Sequence, residues 1–320
     1  MSSAEASRLL RFRGHAYFRQ RLILATLAGR PVRIDQIRPD DEEPGLRDFE
    51  VSFLRLLEKI TNGSAVEISY TGTSVYFQPG IVYGGSIVHE CPTSRGVGYF
   101  LEYMVIIAPF AKQEVALTLR GITNGHGDLG ADTIRTVTIP HLALCLPLDS
   151  VSMLASSLEM RIVKRGAAPL GGGEIFFRAP LIATLRPLNF VEPGRIRKIR
   201  GIASAVRVSP QMSNRMIDAA RSVLNRYIPD LYLFSDVYRG DESGKSPGFA
   251  MSLVATSTTG AMHASETTSL PGQTPEDVGL LTARSLLASI ESGGCVDAMH
   301  QPLILILMAL GPEDVARCRL

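Results

Sequence analysis

One order of helices and strands is written twice in this chain, and that repetition limits the fold more than any single motif. The first copy opens with a helical segment from Tyr17 to Leu27, closed by Gly29, and continues into PVRIDQIR at 31–38, which alternates as a strand does. RDFEVSFLRLLEKITN at 47–62 then places Phe49, Phe53, Leu56, Leu57 and Ile60 on one helical face. AVEISY and SVYFQP form two strands around the turn Tyr70-Thr71-Gly72-Thr73. The order returns further on: a helix in VGYFLEYMVIIAPF, a strand in EVALTLRG, a partly helical stretch from Asp132 to Leu154 interrupted by Pro140 and Pro147, and a strand pair in LEMRIVKRG and GEIFFRAP. The endings SVYFQPG and EIFFRAP are alike, as two copies of one α/β unit would be. A third unit begins at Thr274-Pro275-Glu276-Asp277, an N-cap with an acidic residue three positions on, and its helix stops at Gly293-Gly294.

Residues 184–272 do not follow this order. RIRKIRGIASAVRVS reads as a strand pair or as one long bent strand, and Ser209 with Pro210 starts a helix running through Tyr227. That helix buries Met212, Met216, Ile217, Ala220, Val223, Leu224 and Tyr227. LYLFSDVYR and FAMSLVATST are further strands, joined by the polar surface loop RGDESGKSPG. The expectation is an α/β (α+β) chain: a large domain of repeated helix–strand units over 1–183 and 273–320, with a smaller inserted α/β domain at 184–272.

A hydrophobic content of 45% over 320 residues supports a sizeable core. A net charge of +2 means that affinity for nucleic acid has to come from a local patch. No stretch approaches the ~18 apolar residues of a membrane helix, so no membrane partner is expected. Cys91, Cys145, Cys295 and Cys318 are scattered without a CxxC pair, which fits buried thiols in a reducing compartment and argues against zinc ribbons. MSSAEASRLLRFRG lacks the apolar stretch of a signal peptide, and a cytosolic or nuclear address follows.

The segments FRQRLILATLAGRPVRIDQIRPDDEEPGLRDFE at 18–50, FQPGIVYGG at 77–85, GGGE at 171–174 and GGCVDAMHQPLILILMALG at 293–311 resemble the RNA 3′-terminal phosphate cyclase family, and its cyclase-like, ribosome-assembly branch most closely. The resemblance implies repeated helix–strand units plus an inserted domain. It also implies what has been lost. Active members transfer AMP from ATP to a histidine on the C-terminal helix and then to an RNA 3′-phosphate. In this chain Met299 stands at that histidine position, and a thioether cannot form a phosphoramidate. Pro302 and Leu303 occupy the Asp and Gln positions that follow. His300 is one residue along, a rotation of about 100° on a helix, which aims it away from the pocket. Of the family's Gly-rich run before the first helix only Gly14 remains; Asp41 replaces a family Arg, and Glu102 a family Gln.

Arg19 remains at a family anion-contacting position and Arg38 in the Ile-Arg pair, so Arg13, Arg19 and Arg38 form the candidate anion pocket, with a solvated basic surface as the alternative. Arg195, Arg197, Lys198 and Arg200, with Arg207 nearby, form a basic run. It is either an RNA-backbone contact or a charged edge strand, and it lacks interleaved aromatic residues for base stacking. In GITNGHGDLGAD at 121–132, His126, Asp128 and Asp132 imitate a metal loop, but a tight loop with Asp132 as N-cap accounts for them. GAAPLGGG at 166–173 lacks the Gly-Lys-Ser/Thr ending of a nucleotide loop and reads as a hairpin connection. His89, His141 and His263 read as structural. No metal and no cofactor is expected.

The resemblance further implies a nucleolar, non-catalytic factor for the small ribosomal subunit, bound to an assembly GTPase and to pre-rRNA. Competing readings are an endonuclease cleaving pre-rRNA, a surviving cyclase, and a protein scaffold that never touches RNA. Family members usually continue beyond the position of Leu320, so a C-terminal element is expected to be missing.

Overall fold

The first unit is built on a four-stranded sheet. A strand at Leu10–Arg13 (β1) leads into a helix at Phe18–Ala28 (α1), a strand at Val32–Asp35 (β2), a helix at Asp48–Ile60 (α2) and strands at Ala65–Ile68 (β3) and Val75–Gln78 (β4). The sheet order is β1-β2-β4-β3, with Leu10 parallel to Val32, and with Val32 and Val66 each opposite Phe77 in antiparallel register. The second unit repeats it: Gly85–Glu90 (β5), a helix at Val97–Ile107 (α3), Val115–Gly121 (β6), a helical segment at 131–144 (α4), Glu159–Lys164 (β7) and Gly173–Ala179 (β8). Its order is β5-β6-β8-β7, with the same parallel and antiparallel pairings. These are the coordinates of a computed structural model, which describes residues 9–147 and 157–320.

The duplication foreseen from the sequence is therefore real, and each four-stranded sheet carries one more strand than the sequence reading placed. β1 and β5 are short edge strands, with only Leu10 and Phe12 to mark the first. In α2, Phe53, Leu54, Leu56, Leu57 and Ile60 are buried, and the Glu50 carboxylate accepts the Arg47 N–H at 2.9 Å to cap the first turn. α4 is α-helical at each end and π-helical at Ile134–Thr138. Pro140 supplies no N–H to the ladder, and the widened turn lies just before it. The stretch expected to reach Leu154 leaves the described residues after 147.

The inserted segment builds a third sheet. Ile196–Val206 (β9) is one long strand, followed by a helix at Pro210–Leu224 (α5) and strands at Leu231–Tyr238 (β10), Gly248–Ser257 (β11) and Met262–Thr268 (β12), in the order β10-β9-β11-β12. β12 was not foreseen, because MHASETT carries little apolar alternation. α5 stops at Leu224 and leaves Tyr227 63% exposed, whereas the sequence pattern had buried it. Nor is the 239–248 segment a free surface loop: Ser243 and Ser246 are buried, and its backbone pairs with Arg165 and Gly171 of the β7–β8 connection.

Two further helices follow, Pro275–Ser292 (α6) and Gln301–Ala309 (α7), and after them a short strand at Arg317–Cys318 pairs in parallel with Asn189–Phe190. The Thr274 hydroxyl accepts the Asp277 N–H and the Asp277 carboxylate accepts the Thr274 N–H, as the motif requires. α6 lies beyond the 272/273 boundary read from the sequence, yet its Val278, Ala283 and Leu286 share a core with Ile199, Leu233 and Leu253 of the inserted sheet and Met216 of α5. Val296, Leu303, Ile304 and Leu307 return the chain to the core of the two repeated units. Among the described residues no helix is long and apolar enough to cross a membrane.

The candidate nucleotide cleft

The two cores meet around a cavity of about 550 Å³. α1 contributes Arg19, α3 Glu102, the loop after β6 Gly125 to Leu129, β12 Glu266, and the turn before α7 Met299. The loop can lie against α3 only because residue 98 is glycine: a Cβ there would fall 1.7 Å from the Leu129 carbonyl oxygen.

Met299 and His300 do not sit on the helix where the sequence pattern placed them. They occupy a turn, and α7 begins only at Gln301, with Pro302 in its first turn. Met299 forms part of the cavity wall, half-buried beside Val137, Val254 and Ala264. His300 is buried elsewhere: its Nδ1 lies 2.7 Å from Asp297 Oδ1 and its Nε2 2.9 Å from Thr138 Oγ1. An ionised carboxylate only accepts, so Nδ1 carries the proton and, in the neutral ring, Nε2 accepts the Thr138 hydroxyl. Burial works against the Asp297 charge and is the largest single effect, but the His300 hydrogen bond and its charge, the Ala264 N–H and the nearby His141 together hold that carboxyl below the usual range. The imidazole does not line the cavity, although the helical rotation expected to turn it away does not exist here, since both residues lie in a turn.

Beside this cavity lies a cleft of about 350 Å³, sharing Arg19 and lined also by Arg38, Arg95 and Glu50. Arg19 and Arg38 do come together here. Arg13 does not: it is exposed at the end of β1, and its carbonyl accepts a hydrogen bond from Arg21. Each guanidinium in the cleft already has a carboxylate. Arg38 donates to both oxygens of Glu50, at 2.8 and 2.9 Å, and this pairing raises its pKa against the effect of burial. Arg19 donates to Glu102 at 3.0 Å and to the Tyr99 carbonyl at 2.6 Å, with its charge 4.0 Å from the Tyr99 ring centroid. Arg95 pairs with Asp128 at 2.7 Å. Asp41 pairs with Arg47.

Glu266 was invisible to sequence reasoning, since nothing in MHASETT distinguishes it. Its carboxylate accepts the Gly130 N–H at 2.8 Å and the Thr133 hydroxyl at 2.5 Å, so it caps α4 from another sheet. Burial raises its pKa and these donors oppose the rise. Asp132 is consequently not the N-cap expected of it. It is buried against Arg165, which holds Asp132 at 2.7 and 2.8 Å and Asp236 of β10 at 2.6 Å. Arg165, unremarked in the sequence, thus ties the second unit to the inserted sheet. GAAPLGGG is the connection of an antiparallel strand pair, as expected. His89 bonds Ser52 at 2.8 Å, and His263 faces Ser289. Among the described residues no group of three or more His, Cys, Asp or Glu is placed to hold a metal.

In the basic run, a bulge between Ile196 and Lys198 leaves Arg197 without a cross-strand partner. Arg195 precedes the strand, while Lys198 and Arg200 lie on the strand itself; Arg200 pairs with Asp230 at 2.8 Å. Arg207 donates to the Gly244 carbonyl and helps to hold that loop.

Two copies of one α/β unit, an inserted sheet and a cleft between them define a cyclase-type scaffold. The RNA 3′-terminal phosphate cyclase family matches residues 10–319, and the chain belongs to that family. It is 48% identical, over 98% of its length and 84% of the relative's, to the RNA 3′-terminal phosphate cyclase-like protein of Bos taurus. It is 50% identical to the rRNA processing protein rcl1 of Schizosaccharomyces pombe (96% of this chain, 83% of the relative) and 41% identical to the rRNA processing protein RCL1 of Saccharomyces cerevisiae (99% and 85%).

Proposed function

We propose that this chain is a non-catalytic member of the cyclase family that acts in early pre-rRNA processing for the small ribosomal subunit, in the nucleolus, together with an assembly GTPase. The names of the fission-yeast and budding-yeast relatives support the rRNA-processing part; the GTPase and the nucleolar address rest on the family resemblance. One observation carries the loss of cyclase activity. A thioether, Met299, stands in the wall of a cavity whose arginine is already bound by a carboxylate, with Arg38 and Arg95 of the adjoining cleft bound in the same way. Adenylyl transfer needs a nitrogen nucleophile and uncompensated cations on the triphosphate. Here Met299 cannot supply the first, the imidazole that the wall does contain is that of His126 on an exposed loop, and Glu102 and Glu266 would oppose the second.

Incubating the purified protein with α-labelled ATP and magnesium tests this reading. No covalent adenylate is expected, and a 3′-phosphorylated RNA should remain open to phosphatase. Label retained on the denatured chain would overturn it. Co-purification of a large GTPase with the tagged chain from nucleolar extract checks the partner.

A further inference from the structure

The inserted sheet has two unlike faces. One packs under α5 and α6, where Ile199, Leu233 and Leu253 are buried. The other carries Lys198, Arg200 and Ile202 on β9, and the parallel register sets Arg200 beside Tyr232 and Ile202 beside Phe234 on β10. Tyr232 and Phe234 are 59% and 51% exposed, and their ring centroids lie 5.1 Å apart. The Arg200 guanidinium is 5.9 Å from the Tyr232 ring. A groove of about 310 Å³ runs along this face between Phe234, Lys198 and Thr136 of α4, floored by Ile202 and Val254. Read along the chain, the basic run has no aromatic partners; the neighbouring strand supplies them.

We propose that this open face is a stacking platform for unpaired RNA: bases stack on Tyr232 and Phe234 while Lys198 and Arg200 hold the flanking phosphates. The proposal rests on the rRNA-processing reading and names the surface and the form of RNA. Two neighbouring rings beside cations suit bases that are free to splay out, whereas duplex RNA keeps its bases stacked inside. The carboxylates near the face do not remove its positive character. Asp236 is held by Arg165, and Asp230, surrounded by Arg200, Lys198 and Arg197, forms only an exposed pair with Arg200 that a phosphate can replace.

The test is fluorescence anisotropy of the full chain with a labelled uridine oligonucleotide of about twelve residues and with a hairpin duplex of similar length. Tyr232→Ala and Phe234→Ala should each weaken single-strand binding roughly five- to hundred-fold and leave its salt dependence unchanged. Tyr232→Phe should bind as the parent does. Lys198→Gln should lower the salt slope by about 0.7. Both rings are exposed, so unchanged circular dichroism will show that the variants fold. Single-strand binding that is indifferent to the alanine substitutions, or a duplex bound as tightly as the single strand, overturns the platform and leaves the rRNA-processing reading standing. No RNA bound by the parent protein sinks the platform and the direct RNA contact together.

Discussion

Arg165 shows what a buried charge does in this fold. Its side chain is 1% exposed and that of Asp132 2%, and Asp236 completes the cluster. Removing one partner of such a pair leaves the other charge buried and uncompensated, at a cost of about 3–5 kcal/mol. Arg165→Met should therefore lower unfolding stability by that amount in urea titration, and far more than Arg215→Met, whose pair with Glu276 is exposed. Histidine 141 gives the pH dependence. Burial, with the His300 ring 5.2 Å away, lowers its pKa to about 4, and burial, helped by the Lys59 and Arg55 charges, does the same at His89. The unfolded chain binds a proton at each of these near pH 6.5 and the native chain does not until about pH 4. Between those values the unfolded state holds more protons, so stability is full above pH 6.5 and falls as the pH is lowered. His141→Leu should flatten the acid limb of the stability curve by about 2–3 kcal/mol between pH 6.5 and 4, measured by denaturant midpoints across that range. An unchanged limb would mean that His141 is protonated in the native protein.

At the scale of elements, α5 and α6 touch through a glycine. A Cβ at Gly279 would meet the Met216 carbonyl oxygen at 2.4 Å, and backbone cannot move aside as a side-chain end can. Gly279→Ala gains up to about 1 kcal/mol of helix propensity but forces two helices apart at an overpacking cost of about 1–3 kcal/mol. The balance is a net loss of about 1–2 kcal/mol, visible as a lower thermal midpoint. The elements themselves were largely legible in the chain, because α2, α5, α6 and the strands at 159–164 and 173–179 carry strong periodicity, caps or both. β1, β5 and β12 were not. Two are short edge strands, and β12 is a strand whose side chains serve a site, with Glu266 capping α4 and Ala264 N–H held by Asp297. The site was half legible for the same reason. Met299 and the Arg19–Arg38 neighbourhood are local to a motif, whereas the Arg19–Glu102 and Arg95–Asp128 pairs form only when distant segments meet.

For the molecule as a whole, a formal charge of +2 is spread so that the cleft holds little free positive charge. A histidine placed in the wall is therefore insufficient for adenylyl transfer. Met299→His exchanges the thioether for an imidazole but leaves Arg19 on Glu102, so it should not become adenylylated. Glu102→Gln releases Arg19 without emptying the space, and the amide can still accept one hydrogen bond from it. Inorganic tripolyphosphate is the simplest probe of the difference. A ligand at about 100 times its dissociation constant stabilises by about 2.7 kcal/mol, which for a chain of this size raises the midpoint by several degrees. Tripolyphosphate should leave the parent midpoint unmoved and raise that of Glu102→Gln, an increase that salt diminishes because the contacts are charge-assisted. A parent protein stabilised as strongly as the variant would show that Glu102 leaves Arg19 available, and the cleft would then be an anion site in its native state.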